Sequence, residues 1–125
     1  FPTKIKDIIA LDESLVNFED AIKLSSKNYG KIFNIKLMKC GGITTGQQIA
    51  NQANQNQIDL MWGCNDESIV SISAALNTAL SFENTKYLDL DGSFDLERDI
   101  VTGGFNLKDG VLQPLDSPGL GVNLL

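Results

Sequence analysis

Short apolar runs alternate with amphipathic stretches along most of this chain, a pattern that predicts strands alternating with helices. The run at 8–11, Ile-Ile-Ala-Leu, stops at Asp12-Glu13-Ser14, as a buried parallel strand does on entering a polar loop. Asn17 then opens a helix in which Phe18, Ala21, Ile22 and Ser25 keep a three-and-four spacing. Glu19 and Asp20 fall in its first turn and Lys23 and Lys27 later, the charge order that the helix dipole favours, and Asn28 to Gly30 end it. A second strand is expected at 32–37, and the Gly41-Gly42 break opens a second helix with Ile43, Ile49, Ala50 and Ala53 as its apolar stripe. A third strand at 58–62 leads through Gly63-Cys64-Asn65-Asp66-Glu67-Ser68 into a third helix marked by Ile69, Ile72, Leu76, Ala79 and Leu80. The fourth strand is expected at 87–90.

The strands recur at intervals of roughly 25 residues, the length of repeating βα units with short loops. Such a repeat implies an α/β fold with a parallel sheet, either open or part of a (β/α) barrel, and in both the functional ends of the strands lie on one side. Asp12, Lys36, Cys64 and the 89–91 stretch all fall at that side. Beyond Asp91 the pattern changes. Residues 101–105, an Asp109-Gly110 turn and Val111-Leu112 read as a hairpin, followed by an irregular segment with Pro114 and Pro118.

Composition narrows the chemistry. The chain has 125 residues, the size of one ordinary domain, with a hydrophobic content of 42% and a net charge of −6. It lacks a concentrated basic surface, so no nucleic-acid partner is expected. No stretch has the length of a membrane span and the start lacks a secretory layout, so a cytoplasmic location is expected; the first residue, Phe1, also suggests a piece of something longer. With no histidine, and with Cys40 and Cys64 far apart, histidine triads, the usual zinc sites and disulfide scaffolds drop out. Both cysteines read as buried thiols.

Acid–base chemistry therefore has to come from the remaining groups. Asn34 and Lys36 share a strand face, and a lysine there is either an amine in desolvated surroundings, competent as a base, or an edge residue reaching solvent. Asp89 and Asp91 also share a face, and two such carboxylates suit a metal ion or an ammonium, or else simple turn chemistry before Gly92. Asp12 is either a strand-end metal ligand or a loop start. The Gly41–Gly46 loop matches neither established phosphate-binding pattern in spacing.

Taken in order, Ala10-Leu11-Asp12-Glu13-Ser14, Asn34-Ile35-Lys36-Leu37-Met38-Lys39-Cys40-Gly41-Gly42, Gly63-Cys64 with Glu67-Ser68, and Asp89-Leu90-Asp91 resemble the enolase superfamily in its muconate-lactonising subgroup. They most resemble the C-terminal half of a dipeptide epimerase of the L-Ala-D/L-Glu type. Pro114 and Pro118-Gly119-Leu120-Gly121 resemble that subgroup's C-terminus.

The resemblance implies the C-terminal half of a (β/α)7β TIM-like barrel, strands five to eight, at 1–91, with a C-terminal hairpin segment at 92–125. It further implies Asp12 as a Mg2+ ligand supported by Glu13, Asn34 and Glu67, and Lys36 as the acid/base lysine. Asp89 and Asp91 would hold the substrate's α-ammonium, with Cys64, Asn65 and Asp66 lining the substrate. Asn65 and Asp66 replace positions that are usually apolar in Ala-Glu epimerases, and Asp66 points to a cationic side chain. The other lysines, the other metal carboxylates and the capping domain of that family have no counterpart here, so the chain alone is expected to be inactive. A cycloisomerase or succinylbenzoate-synthase-like parent is the alternative within the superfamily. From another class comes a non-catalytic half-barrel whose exposed surfaces drive homo-oligomerisation.

Overall fold

The computed structural model describes residues 2–125; the start at Phe1 that bears on the reading of a longer parent lies outside them. Helices α1 (Thr3–Lys6), α2 (Phe18–Lys27), α3 (Leu37–Cys40), α4 (Ile43–Gln55) and α5 (Ile69–Ala79) alternate with strands β1 (Ala10–Leu11), β2 (Ile32–Ile35), β3 (Asp59–Trp62) and β4 (Thr85–Leu88). The four strands form one parallel sheet in the order β1-β2-β3-β4.

The sheet has two unlike faces. Phe33, Ile35, Leu60 and Trp62 are fully buried and make one core with Ile49, Ala50 and Ala53 of α4 and Ile72, Leu76 and Ala79 of α5. Full burial of side chains this size stabilises by about 1.5–3 kcal/mol each. Gly46 brings α4 against the sheet, because a Cβ there would lie 2.8 Å from Leu37 and 3.5 Å from Trp62. Small residues do the same for α5, where Ser73, Ala74, Ala75 and Ala79 are buried. The opposite face carries Ile8, Ala10, Ile32, Met61 and Tyr87 around an open apolar hollow.

Helix boundaries follow local chemistry. The Asn17 side chain accepts the Asp20 N–H at 3.0 Å, and Asn28 ends α2 in the left-handed region at φ 51°. Strand limits differ from expectation in β1 and β2, and β4 lies two residues earlier than expected, at 85–88 rather than 87–90. At the start, only residues 10–11 pair with β2 and Ile8 is 75% exposed, since none of the described residues covers its side of the sheet. β2 stops at Ile35 rather than at residue 37. Lys36 keeps an extended backbone, and Leu37–Cys40 turns into a helix ended by Gly41 at φ 88°. Leu37 leaves the sheet to pack under Gly46, which favours that turn.

The tail is more regular than expected. Its hairpin joins β6 (Phe105–Lys108) to β7 (Val111–Pro114), and Asp109 and Gly110 both have positive φ, as a two-residue Asp-Gly turn requires. β5 (Val101–Gly103) instead pairs antiparallel with β8 (Val122–Leu124), so the segment expected to be irregular closes a second ribbon. Gly103 and Gly104, at φ 91° and 78°, break the chain between β5 and β6. Ser73 of α5 donates to the carbonyls of Leu120 and Gly104, at 2.7 and 3.3 Å. Asp99 accepts the Ser68 hydroxyl at 2.7 Å and the Ile69 N–H at 2.6 Å, joining the tail to the first turn of α5.

Candidate active site

At the C-terminal end of the sheet, β1, β2 and the loop after β3 bring together a compact polar cluster. Asp12 follows β1. Its Oδ2 lies 3.2 Å from Lys36 Nζ and accepts Asn34 Nδ2 at 3.0 Å, while its Oδ1 accepts Lys39 Nζ at 2.6 Å. Lys39 also meets Glu13 at 3.0 Å. Both lysine side chains are largely enclosed, 13% exposed for Lys36 and 15% for Lys39. Lys36 Nζ has a second acceptor in Asn65 Oδ1, at 3.4 Å.

Partial burial pushes the Asp12 carboxyl up, but hydrogen bonds from Lys39 and Lys36 outweigh it and hold the group below the ordinary carboxylate value. The same balance runs in reverse for Lys39. Burial pushes its ammonium down, and the bonds to Asp12 and Glu13 more than compensate, so it stays charged above the ordinary lysine range. Asn34 is buried, and a Cβ on Gly63 would come within 2.6 Å of its Oδ1, so the bare backbone of Gly63 makes room for that amide.

A second group forms where β3 and β4 end. β4 stops at Leu88, two residues before the expected end, although the Asp89 N–H still donates to the Trp62 carbonyl at 2.9 Å. Leu90 turns into the core at 3% exposure while Asp89 and Asp91 on either side are exposed. Cys64 is only partly buried, contrary to the expectation of a buried thiol. Its Sγ donates to the Asp89 carbonyl at 3.2 Å and accepts the Gly92 N–H at 3.3 Å. Desolvation raises the Cys64 thiol, the Gly92 N–H lowers it, and the carboxylates of Asp91, Glu67 and Asp89 raise it further, so it is a protonated thiol at neutral pH. Cys40 is buried as expected, and desolvation raises it too.

The loop between β3 and α5 connects the two groups. Buried Glu67 accepts the Asn65 N–H at 2.9 Å through Oε1 and the Ser71 hydroxyl through Oε2. Asp66 is exposed and makes no hydrogen bond or ion pair among the described residues. Lys39 has no counterpart in the strand-based reading, because its approach to Asp12 exists only once residues 37–40 are helical and residue 39 swings back over the end of β1. The spacing Lys36-(x)2-Lys39 was the available signal, since side chains three apart are neighbours on a helix.

A Mg2+ ion takes about six oxygen ligands. Among the described residues no group of three or more His, Cys, Asp or Glu converges, and both Asp12 oxygens are engaged by ammonium groups. The donor set of this chain does not by itself fit such an ion.

Comparison with known proteins gives a consistent picture. The family model described as enolase C-terminal domain-like matches residues 4–125. An L-Lys-D/L-Arg epimerase of Desulforapulum autotrophicum is 56% identical over 97% of this chain, which covers 34% of that relative. A dipeptide epimerase from Methylococcus capsulatus, solved with Mg and the dipeptide L-Arg-D-Lys, superposes with a TM-score of 0.95 at 54% identity, covering 98% of this chain and 35% of that one. The substrate-liganded L-Ala-D/L-Glu epimerase from Bacillus subtilis gives a TM-score of 0.86 at 31% identity, over 91% of this chain and 32% of that one. The chain thus spans about a third of the length of the curated relatives it matches.

Proposed function

The chain belongs to the enolase C-terminal domain-like family, and on that premise we propose that it is the C-terminal half-barrel of a dipeptide epimerase, with Lys36 as the base on one face of the substrate's α-carbon. One observation carries the proposal: Lys36 meets Asp12 at 3.2 Å at the same sheet end from which Asp89 and Asp91 project. The α C–H bond breaks, its proton passes to the Lys36 amine, and the electron pair moves into the carboxylate to give an enediolate. Returning a proton to the opposite face completes epimerisation. That return needs a second base, which in this reading comes from the rest of the full-length protein, as do the carboxylates that would join Asp12 around Mg2+.

Asp89 and Asp91 are the proposed receptors for the dipeptide's α-ammonium, with Cys64 and Gly92 holding their loop. The L-Lys-D/L-Arg epimerase relatives, the net charge of −6 and the exposed Asp66 carboxylate support a cationic dipeptide as substrate. The test is α-proton exchange into D2O by the full-length protein with Mg2+ and either Lys/Arg-type or Ala-Glu dipeptides. Faster exchange of the cationic dipeptides is expected. Equal rates would dispose of the substrate assignment, and no exchange with any dipeptide would overturn the epimerase reading.

A second reading, self-association of the chain, is favoured by the open apolar face, where Ile8 is 75% and Tyr87 51% exposed.

A further inference from the structure

We propose that Asn65 is a positioning residue for Lys36, an inference that rests on the epimerase reading of that lysine. A lysine amine sits on four methylenes and reaches a reacting atom reproducibly only where its nitrogen is held from more than one side. Here Lys36 Nζ lies between Asp12 Oδ2 at 3.2 Å, at the end of β1, and Asn65 Oδ1 at 3.4 Å, beyond β3. The two acceptors come from the strands on either side of β2, so together they centre the nitrogen over its own strand.

Asn65 is exposed, yet nearly every polar atom it has is engaged. Its Nδ2 donates to Met38 Sδ at 2.9 Å, and its N–H donates to Glu67 Oε1 at 2.9 Å. Glu67 in turn is buried and tied to Ser71 of α5. The Asn65 carbonyl lies so close to Gly92 that a Cβ there would come within 1.8 Å of its oxygen. An exposed asparagine side chain ordinarily gains little from being fixed. This one is anchored through its backbone N–H to Glu67 and so to α5, its carbonyl packs close against Gly92, and its side-chain oxygen is spent on the lysine.

The reaction supplies a readout that general damage would not mimic. Epimerisation uses one base on each face of the α-carbon, and of Lys36 and Lys39 it is Lys36 that donates to Asn65. In the full-length protein, Asn65→Leu keeps the side-chain size and removes both the acceptor for Lys36 and the donor for Met38. Initial α-proton exchange in D2O is measured separately for the two epimers of one dipeptide, and the ratio of the two rates is independent of how much protein is folded. The expected result is a loss of about 10- to 100-fold for the epimer whose proton faces Lys36, the scale of a misplacement near 1 Å, with the other epimer changed by less than about 3-fold. Equal slowing of both epimers, or of neither, overturns the assignment of Asn65 while leaving the epimerase reading intact. Absence of exchange in the unsubstituted protein overturns both.

Discussion

Two lysines three residues apart reach the same carboxylate, yet they are not equivalent. Lys39 is committed to Asp12 at 2.6 Å and Glu13 at 3.0 Å, whereas Lys36 makes longer contacts, 3.2 Å to Asp12 and 3.4 Å to Asn65. Replacing Lys36 by Met in the full-length protein should therefore lower α-proton exchange by about 10²–10⁴-fold, the range for loss of a general base, without loss of fold by circular dichroism. Asp89→Asn should act differently, raising KM for a dipeptide while changing kcat less, and steady-state kinetics would separate the two. Gly63→Ala probes the support of Asp12: its methyl would press on the Asn34 amide, which donates to Asp12 Oδ2. A loss of exchange activity larger than the loss of thermal stability is expected, and unchanged activity would show that Asn34 does not position Asp12. These residue types were legible in the sequence because each stands at a strand end. Lys39 was not, since its role depends on a helical turn at Leu37–Cys40 where the apolar run through Ile35 and Leu37 reads as continued strand.

At the scale of elements, the periodic helices were the most legible part. Ile49, Ala50 and Ala53 form the buried stripe of α4, and Ile72, Leu76 and Ala79 that of α5, because burial on one face imposes the spacing from which they were read, whereas Ile43 of the expected α4 stripe and Ile22 of the expected α2 face are 40% and 46% exposed. Leu80, read as part of the α5 stripe, is 60% exposed beyond the helix end. Strand ends were less legible, as an apolar residue such as Ile8 carries no mark of whether anything covers it. The pairing of β5 with β8 is a contact between distant segments with no local signal at all, unlike the Asp-Gly turn. Asp99 belongs to the same class, a carboxylate in the tail that caps α5. The backbone N–H of Ile69 is the main reason its carboxyl lies below the ordinary value, with the Ser68 hydroxyl adding to the effect. A carboxyl depressed on folding stabilises above its unfolded value, near 3.8, and loses that contribution as pH falls through the lower folded value. Asp99→Ala should cost about 1–2 kcal/mol at neutral pH. Thermal melts of both proteins should converge as the pH is lowered below 3.8; a constant gap across that window would remove the charge from the explanation.

For the whole molecule, the sheet that is closed by helices on one face and open on the other sets how the chain behaves alone. Ile8, Ala10, Ile32, Met61 and Tyr87 share a hollow facing solvent, and among the described residues β1 and β4 present unpaired edges. The isolated chain should self-associate, with a mass by light scattering that rises with concentration; a monodisperse monomer would count against the second reading above. No helix among the described residues is long and apolar enough to cross a membrane. The grip of the tail on α5 has a further consequence, one of order in time. Asp99 and the carbonyls of Gly104 and Leu120 dock on the first half of α5, separated from it by about 30–50 residues of sequence, so these contacts close long loops onto a helix that has to be formed to receive them. Folding of the sheet and helices should thus precede the tail, and Asp99→Ala should speed unfolding while leaving the refolding rate nearly unchanged in stopped-flow measurements. The tail would then act as a latch whose release, not the break-up of the core, begins the loss of the fold.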